Sequence, residues 1–598
     1  MGLIREASNI NQLWSLLIIE ELLRLGVEQF FISPGSRSTP FVTAIALHDA
    51  AKTCVHFDER GSAFAALGYG KATGRPAVWV TTSGTAVANG LPSVIEAHMD
   101  GVPLILLTAD RPPELRGTGA NQSINQVSIF SPYVRWSLDG PVPTTDIPPA
   151  YVLTSIDQAA YRSRTMGNGP VHLNWMFREP LAPKPTGEEF GAYLQSIKNW
   201  IDSTTPYTDY RNTSKRLSPQ NQEFDKRPIY TNDHKGLVLA GRLKTHEEGV
   251  LVKRVAASLG WPLYADISSQ IRLGFDKEEN GAALLSPLLF TPSTSAYLPK
   301  PDKVMQFGKI PTSKHLLSWI NSVKPSEYLI VDNSPERIDP FHEVSTRIDA
   351  SISEFCRTLL SLNSAKNPIN QSWIKEWDKV SQRVAVNLEN YWDENNPLSE
   401  PLIARVISEE IKIDSILVIG NSMPIRDIDS FATYQGAQVS IVTNRGASGI
   451  DGIIATAVGA SVATNKPVTV VLGDLALLHD LNSLAMARHL STSFVVIVIN
   501  NNGGGIFSFL PIAKFADVFE PFFGTPNDVT FNGAAKMFDA AYYKPSTIDE
   551  FRLTYSQAIE RERFSIIEVE TDRKENLELH KEIERRTSAG LSENDGNA

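Results

Sequence analysis

The first third of the chain alternates segments that have apolar residues at helical spacing with short, continuous apolar runs. Residues 13–25 have the helical spacing and end at Gly26, and an apolar run follows at once. The alternation predicts helices at 13–25, 40–49 and 59–73 and strands at 29–33, 53–57, 77–82 and up to Asp110. Alternation of this kind is typical of a parallel, doubly wound sheet.

Two breaks in this pattern predict domain boundaries. Residues 179–185 are rich in proline and residues 203–235 are polar, so we interpret them as a linker and an exposed insertion. A second α/β pattern begins at Gly236 and a third near residue 370. Further strands are predicted at 171–175, 303–307, 328–332, 416–419, 438–442, 468–472 and 494–499. We therefore predict an α/β protein of three domains, residues 1–185, 186–369 and 370–598, each a mostly parallel sheet flanked by helices.

Bulk properties narrow the class of protein. A length of 598 residues exceeds what one hydrophobic core supports, and the net charge of −11 argues against nonspecific binding to nucleic acid or anionic membranes. No apolar run approaches the roughly 18 residues of a membrane helix, and the first residues lack a secretory pattern. We expect a cytoplasmic enzyme with no nucleic-acid partner and no stable membrane insertion. Cys54 and Cys356 lie far apart in apolar contexts and are predicted to be buried free thiols.

Polar residues follow two predicted strands in the last third of the chain. Asp474 comes directly after one apolar run and Asn501 after the next. Because parallel strands place their carboxyl ends at one edge of a sheet, one ion could contact both residues. A hard cation such as Mg²⁺ prefers oxygen ligands, here the Asp474 carboxylate, the Asn501 amide oxygen and the Gly503 backbone oxygen. The simpler alternative is that Asp474 caps a helix and Asn501 forms a turn.

Two longer strings resemble the cofactor motifs of thiamine-diphosphate enzymes. GDLALLHDLNSL, followed by a strand and NNNGGGIF, resembles their metal and diphosphate motif. DERGSAFAALGYGKATGRP resembles their pyrimidine-binding domain. This resemblance implies that Glu59 contacts the aminopyrimidine ring, where an apolar pocket would help a carboxyl group to share a proton with the ring nitrogen. The alternative is that Glu59 stabilises the N-terminus of a helix that Asp58 caps.

Two glycine-containing strings could suggest other chemistry. Gly68, Gly70 and Gly74 are spaced as in a dinucleotide loop, but they lie inside a predicted helix, so helix packing is the better explanation. The string at 446–449 lacks the glycine that a nucleophile elbow needs, since residue 450 is isoleucine. Hydrolase chemistry therefore has no support in the sequence.

Four segments go beyond the general cofactor motifs: ISPGSRSTP (32–40), TADRPPELRGTGANQSINQ (108–126), GNSMPIRD (420–427) and TNRGASGIDG (443–452). Together they resemble the MenD family, the 2-succinyl-5-enolpyruvyl-6-hydroxy-3-cyclohexene-1-carboxylate synthases of menaquinone biosynthesis. The family's substrates, 2-oxoglutarate and isochorismate, each carry two carboxylates, which arginines bind through paired donors. The resemblance implies a substrate site formed by Ser36, Arg37, Arg111, Gln122, Lys314, Asn421, Ser422, Arg426, Arg445, Phe507 and Leu510. Several family members have an arginine after the lysine that matches Lys314, whereas this chain has His315.

The same resemblance implies roles at the cofactor. The implied catalytic residues are Glu59, Gln122 and Ile450, and Ile450 would hold the cofactor in a bent form. The implied cofactor contacts are Glu59, Ile450, Asp474, Asn501, Gly503, Ile506 and Phe507, with Mg²⁺ or Mn²⁺ held by Asp474, Asn501 and Gly503. For Ile506, Phe507 and Leu510 a plain core role is an open alternative.

The implied reaction is the decarboxylation of 2-oxoglutarate, with thiamine diphosphate, and conjugate addition of the resulting carbanion to isochorismate. Because family members form active sites at subunit interfaces, Glu59 and Asp474 are expected to meet across an interface in a homodimer or homotetramer. Two other functions stay open. One is a different thiamine-diphosphate decarboxylase or carboligase of the acetohydroxyacid synthase type, which would not need the four arginines. The other is a noncatalytic protein that binds the cofactor as a ligand.

Overall fold

The N-terminal third forms a sheet of six parallel strands. A computed structural model describes residues 2–165, 167–210, 234–275, 284–362, 371–392, 397–561 and 563–592. The strands of this sheet are β1 Gln29–Ile32, β2 Lys52–Val55, β3 Ala77–Thr81, β4 Leu104–Asp110, β5 Trp136–Gly140 and β6 Pro170–Met176, in the order β2-β1-β3-β4-β6-β5. The inner strands are buried along their whole length, as continuous apolar runs in a parallel sheet require.

Two further six-stranded parallel sheets follow. The middle sheet contains β7 Gly236–Ala240, β8 Leu263–Ala265, β9 Leu284–Leu285, β10 Lys303–Phe307, β11 Glu327–Val331 and β12 Thr346–Ile348, in the order β12-β11-β10-β7-β8-β9. The C-terminal sheet contains β13 Ile416–Ile419, β14 Ser440–Thr443, β15 Val468–Gly473, β16 Phe494–Asn500, β17 Ala541–Tyr543 and β18 Phe564–Glu570, in the order β14-β13-β15-β16-β18-β17. The first and third sheets therefore share one topology, and the predicted fold class is confirmed.

Helices connect and flank the strands. They are α1 Gly2–Arg5, α2 Ile10–Arg24, α3 Thr39–Ala46, α4 Glu59–Thr73, α5 Thr85–Ala88, α6 Leu91–Asp100, α7 Pro149–Ser163, α8 Gly191–Leu194, α9 Lys198–Ile201, α10 His246–Leu259, α11 Lys314–Val323, α12 Ile352–Leu362, α13 Gln371–Trp392, α14 Glu400–Glu410, α15 Met423–Phe431, α16 Ile453–Thr464, α17 Asp474–His479, α18 Leu484–Ala487, α19 Ala516–Phe519, α20 Asn532–Met537, α21 Ile548–Glu560 and α22 Arg573–Ser592. Within the described residues, no helix is long and apolar enough to span a membrane.

Capping residues fix where the first helices begin. The Asn9 side chain accepts a hydrogen bond from the backbone N–H of Gln12, so α2 begins at Ile10, three residues before the predicted start. Asp58 caps α4 in the same way, and this helix has the predicted bounds. Sequence periodicity places a helix well, whereas its cap decides the first residue.

The chain divides into two compact units. The N-terminal unit consists of Met1–Thr213, Asn444–Asn465 and His479–Leu490, and it contains the first sheet. The C-terminal unit consists of Ser214–Thr443, Lys466–Leu478 and Ser491–Ala598, and it contains the other two sheets. The predicted boundary between residues 369 and 370 and most of the predicted insertion at 203–235 lie outside the described residues.

Close packing explains one of the glycine strings. Within the N-terminal unit, α4 packs against α16, and a Cβ at Gly68 would lie 2.0 Å from the backbone oxygen of Thr456. Only glycine allows this approach of two helix backbones. The prediction that these glycines serve helix packing is confirmed at Gly68.

The two cysteines differ in burial. Both are free thiols, and Cys356 is buried as predicted. Cys54 is only half-buried, because it lies on β2 at the edge of its sheet, where one side lacks a neighbouring strand. Burial nevertheless raises the pKa of Cys54 to about 11, which disfavours a reactive thiolate.

Candidate active site

Three neighbouring strands of the C-terminal sheet carry predicted site residues at their carboxyl ends. The strands β13, β15 and β16 are adjacent and parallel. Asn421 and Ser422 follow β13, Asp474 follows β15 and Asn501 follows β16. The structure thus places these four residues at one sheet edge, which is where ligands of parallel α/β sheets bind.

Asp474 is buried at the start of α17, and two donors hold its Oδ2 atom. The backbone N–H of Gly503 donates to Oδ2 at 2.7 Å, and the side-chain amide of Asn527 donates to it at 3.0 Å. Burial raises the pKa of Asp474, and these hydrogen bonds oppose the rise. A cation beside Asp474 would favour the charged carboxylate that burial disfavours.

Asn501 is also buried, and one half of its amide is unpaired. Its Nδ2 atom donates to Oε1 of Glu400 at 3.1 Å, whereas its buried Oδ1 atom has no hydrogen-bond partner. A buried acceptor without a donor is costly unless a bound group satisfies it. Carboxylate and amide oxygens are the ligands that Mg²⁺ prefers, so these residues fit the predicted metal.

The predicted metal site differs in composition from sites that are built of several charged ligands. Among the residues that the structure describes, no cluster of three or more His, Cys, Asp or Glu side chains could hold a metal ion. The predicted set needs only one carboxylate, because Asn501 and a backbone oxygen supply neutral donors. Diphosphate oxygens and water would complete an octahedral shell.

The backbone conformation and close packing at position 503 require glycine. Its φ is 130°, a conformation that side chains rarely adopt, and a Cβ there would lie 1.9 Å from the backbone oxygen of Gly524. The backbone of Gly503 can therefore approach its neighbours, and a ligand, more closely than any other residue would allow.

The start of α15 holds a second group of predicted residues in the same unit. Ser422 has a φ of 72°, and the Nη1 atom of Arg426 donates to the backbone oxygen of Ser422. Asn421 is buried directly before them. The three predicted substrate residues of this segment therefore form one polar cluster.

The apolar residues predicted after Asn501 lie in a short turn. Ile506 and Phe507 are half-buried in the 3₁₀ helix Gly505–Phe509, and the Phe507 ring meets the Phe523 ring edge-on at 5.6 Å. Leu510 is exposed. None of the three is fully buried, so each presents some apolar surface beyond the core.

Lys314 lies apart from these residues in sequence, in the middle domain. It is the first residue of α11, whose N-cap is Ser313, and both Lys314 and His315 are exposed. The exposed position allows Lys314 to contact an anionic ligand, as the prediction requires.

Glu59 lies in the N-terminal unit, as the first residue of α4. Asp58 performs the capping, because its side chain accepts from the backbone N–H of Arg60 at 3.0 Å. Glu59 is half-buried, and its Oε2 atom accepts from the Asn89 side chain at 3.4 Å. Asp58 caps the helix and Glu59 is an acidic residue in its first turn, so the alternative that Glu59 stabilises the helix N-terminus stays open.

Two arginines come together at the carboxyl edge of the N-terminal sheet. Arg37 follows β1, with Ser36 before it, and it donates to the backbone oxygen of Phe177 at 2.9 Å. Arg111 follows β4, is buried, and donates to the Ser83 hydroxyl. Burial and then the positive charge of Arg37 lower the pKa of Arg111. The charges of Asp110 and Glu179 oppose this lowering, and Glu179 lies 3.6 Å from Nη1 of Arg37. Two neighbouring guanidinium groups are suited to binding a carboxylate.

The segment that carries Gln122 is anchored by a buried amide. Gln122 has a φ of 53°, and a Cβ at Gly84 would lie 3.3 Å from its backbone. Nearby, the backbone N–H of Gly84 donates to Oε1 of Gln126 at 2.8 Å, and Nε2 of Gln126 donates to Asn174 at 2.8 Å. This network fixes Gln126 beside the loop after β3, whereas Gln122 itself is exposed.

The Glu96 carboxylate binds the backbone of the segment that contains Arg445 and Ile450, and this segment belongs to the N-terminal unit. Oε1 of Glu96 accepts from the backbone N–H of Gly446 at 2.9 Å, and Oε2 accepts from that of Ala447 at 2.6 Å. Lys71 also donates to Glu96, at 3.0 Å. Arg445 and Ile450 are half-buried on either side of this contact.

Sequence comparisons identify the domains that carry these groups. Residues 15–129 match the N-terminal TPP binding domain of thiamine pyrophosphate enzymes, residues 191–419 match a middle domain of thiamine pyrophosphate enzymes, and residues 431–569 match their C-terminal TPP binding domain. The protein thus has the domains of a thiamine-diphosphate enzyme in the predicted order.

Relatives extend the similarity over almost the whole chain. A 2-succinyl-5-enolpyruvyl-6-hydroxy-3-cyclohexene-1-carboxylate synthase from Rubrobacter xylanophilus is 48% identical over 96% of this chain and 98% of the relative. The chain belongs to this synthase family. Synthases of the same name from Salinibacter ruber and Prosthecochloris aestuarii are 43% and 39% identical, over 98% and 96% of this chain and 98% and 97% of the relatives. The predicted MenD family is therefore confirmed.

The structure adds residues to the candidate site of this MenD-family chain that its motifs did not reveal. Glu96, Glu400 and Asn527 each contact a predicted site residue or the backbone beside it. Asn527 follows a Thr-Pro pair, which signals a turn, but nothing in its local sequence connects it with Asp474. The two glutamates lie in helices and look like ordinary polar positions in the sequence.

Proposed function

We propose that this protein is a thiamine-diphosphate-dependent synthase that decarboxylates 2-oxoglutarate and adds the succinyl unit to isochorismate, giving 2-succinyl-5-enolpyruvyl-6-hydroxy-3-cyclohexene-1-carboxylate. The near full-length similarity to synthases of that name carries the proposal. The neighbouring Arg37 and Arg111 support it, because both substrates carry two carboxylates.

In this proposal Asp474, Asn501 and the Gly503 backbone oxygen hold Mg²⁺ or Mn²⁺, which in turn binds the diphosphate. The buried, unpaired Oδ1 atom of Asn501 and the buried carboxylate of Asp474 support this assignment. Ile506 and Phe507 would contact the cofactor with apolar surface, and Ile450 would support it from one side.

Thiamine diphosphate, when bound, supplies the electron sink that decarboxylation of a 2-oxo acid needs. Glu59 holds a proton against the aminopyrimidine nitrogen, and Gln122 orients the substrate beside it. Arg37, Arg111 and Ser36 bind carboxylate oxygens on one side of the substrate site. Arg426, Arg445 and Lys314 bind others, with Asn421 and Ser422 as neutral hydrogen-bond partners. Phe507 and Leu510 exclude water, which would otherwise protonate the reacting carbon.

We further propose that active sites form between subunits of a homodimer or homotetramer, with Glu59 of one subunit facing Asp474 of another. Exposed apolar side chains next to the predicted site residues support this. Val55 and Phe57, just before Glu59, expose 61% and 62% of their surface, and Phe522 exposes 72%. The cytoplasmic location and the domain bounds 1–185, 186–369 and 370–598 stay predictions.

Product analysis tests the proposed activity. Purified protein with thiamine diphosphate and Mg²⁺ is incubated with 2-oxoglutarate or with pyruvate, each with and without isochorismate. Carbon dioxide release is measured and the products are identified by mass. We expect the succinylated product only when both substrates and the cofactor are present. Release of carbon dioxide from pyruvate and none from 2-oxoglutarate would instead favour an enzyme of the acetohydroxyacid synthase type. Cofactor binding with no carbon dioxide release from either acid would favour a noncatalytic protein.

A further inference from the structure

Glu400 contacts Asn501, a predicted metal ligand, and belongs to the same unit of the chain. It is the first residue of α14, at some distance in sequence from the metal motif, and its side chain is almost completely buried. Its Oε1 atom accepts from Nδ2 of Asn501 at 3.1 Å and from the hydroxyl of Thr571 at 2.9 Å. Both contacts reach the same oxygen atom.

We propose that Glu400 is a positioning residue for the metal, because its Oε1 atom fixes the orientation of the Asn501 amide. This inference rests on the proposed function of Asn501 as a metal ligand. An amide has two ends of similar shape, and only the oxygen end can bind a hard cation. With Nδ2 held by Glu400, the oxygen end is the one left for the metal.

The geometry works for either protonation state of Glu400. Oε2 is buried without a hydrogen-bond partner, so a proton on the carboxyl group would lie there and leave Oε1 as the acceptor. The Thr571 hydroxyl reinforces this, since it also donates to Oε1. Glu400 can therefore orient Asn501 without depending on its charge.

Burying a carboxyl group at this position is costly, which argues that the group has a purpose. Asp427 is buried in the same unit and lies 3.0 Å from Nε2 of His580, and its charge acts on Glu400. An apolar side chain at position 400 would avoid both the burial and the repulsion. Orientation of a metal ligand is a role that an apolar side chain could not fill.

Variants of Glu400 separate orientation from packing. Glu400→Leu keeps the approximate volume but removes the acceptor, whereas Glu400→Gln keeps an oxygen that can accept from Asn501 and Thr571. We expect Glu400→Leu to weaken Mn²⁺ binding on the order of 10- to 100-fold, as outer partners of metal ligands typically do, and Glu400→Gln to bind nearly as the wild type.

The measurement is binding of Mn²⁺ to the full-length protein in the presence of thiamine diphosphate, followed by electron paramagnetic resonance, with the melting temperature recorded for each variant. A double-mutant cycle with Asn501→Ala supplies the readout that a purely structural role would not change. If Glu400 acts through Asn501, Glu400→Leu should weaken Mn²⁺ binding much less once Asn501 is alanine.

Wild-type affinity in Glu400→Leu, or an equal loss in the Asn501→Ala background, would overturn the inference. If Glu400→Leu does not fold, Glu400→Asp provides the same test, because its shorter side chain withdraws the acceptor from Asn501. An unchanged Mn²⁺ affinity in Glu400→Asp would then overturn the inference. Absence of Mn²⁺ binding by the wild type would instead overturn the proposed metal site itself.

Discussion

Replacing Glu96 with glutamine should loosen the segment that carries Arg445 and Ile450. In the structure the two carboxylate oxygens accept from two consecutive backbone N–H groups, of Gly446 at 2.9 Å and Ala447 at 2.6 Å. A glutamine can accept from one of them, but its NH₂ group would face the other donor. One charge-assisted hydrogen bond is lost, which costs about 1.5–3 kcal/mol.

We expect the lost hydrogen bond to lower catalytic efficiency, because the proposed substrate-binding residue Arg445 directly precedes Gly446. If the whole cost falls on substrate binding in the transition state, kcat/KM for the two acids should drop on the order of 10- to 150-fold. Mn²⁺ affinity should not change, since the proposed metal ligands belong to the other compact unit. Steady-state kinetics with each acid varied in turn, together with Mn²⁺ binding, measure both quantities.

Lys71→Met is the matched control for Glu96→Gln. It removes the ion pairs with Glu96 and Asp100 but leaves both carboxylate oxygens of Glu96 able to accept from the backbone. We expect it to reduce stability while lowering kcat/KM much less than Glu96→Gln. Kinetics of Glu96→Gln within about twofold of the wild type would refute the reasoning.

Three further variants test separate parts of the site and fold. Glu59→Gln should retain thiamine-diphosphate binding in calorimetry but lose most turnover, and near-normal rates would remove Glu59 from its proposed role. Arg445→Ala should raise KM for the carboxylate substrates and leave Mn²⁺ affinity unchanged. A large loss of Mn²⁺ affinity would instead show that Arg445 acts at the metal site. His172→Gln should reduce acid sensitivity, because burial lowers the pKa of His172 to about 3. His172 therefore stays neutral in the folded state, whereas in the unfolded chain it binds a proton below about pH 6.5. Proton binding favours the unfolded chain, so the free energy of unfolding decreases as pH falls. Urea unfolding at pH 7 and pH 5 should show an acid loss about 2 kcal/mol smaller in the variant, and equal losses would contradict this.

The sequence predicted most inner strands and also the edge strands β2 and β14, but it did not predict the inner strand β18 or the edge strands β5 and β17. Strands such as β4 and β16 are buried on both faces, so they appear as continuous apolar runs that need no knowledge of their neighbours. The strand β5 lies at a sheet edge and alternates between exposed and partly buried positions, and β17 has only three residues. Short edge strands such as these are stabilised mainly by pairing with the neighbouring strand, and their local sequence gives little indication of that pairing.

The sequence likewise predicted some residues of the candidate site and missed others. Asp474 and Asn501 could be predicted because each follows directly on a buried strand, and parallel strands bring their ends together. Glu96 and Glu400 could not, because their partners lie 350 and 101 residues away in sequence. Both look like ordinary helix residues until the fold places them against a loop or a ligand.

Mixing two inactive variants tests the shared active site most directly. We expect Glu59→Gln and Asp474→Asn to be nearly inactive when each is assayed alone. The two variants are mixed in equal amounts and allowed to exchange subunits before the synthase activity is measured. If Glu59 of one subunit works with Asp474 of another, each mixed dimer regains one intact site, and activity should return to about one quarter of the wild-type value. No recovery in mixtures whose subunits have demonstrably exchanged would contradict a site built between subunits.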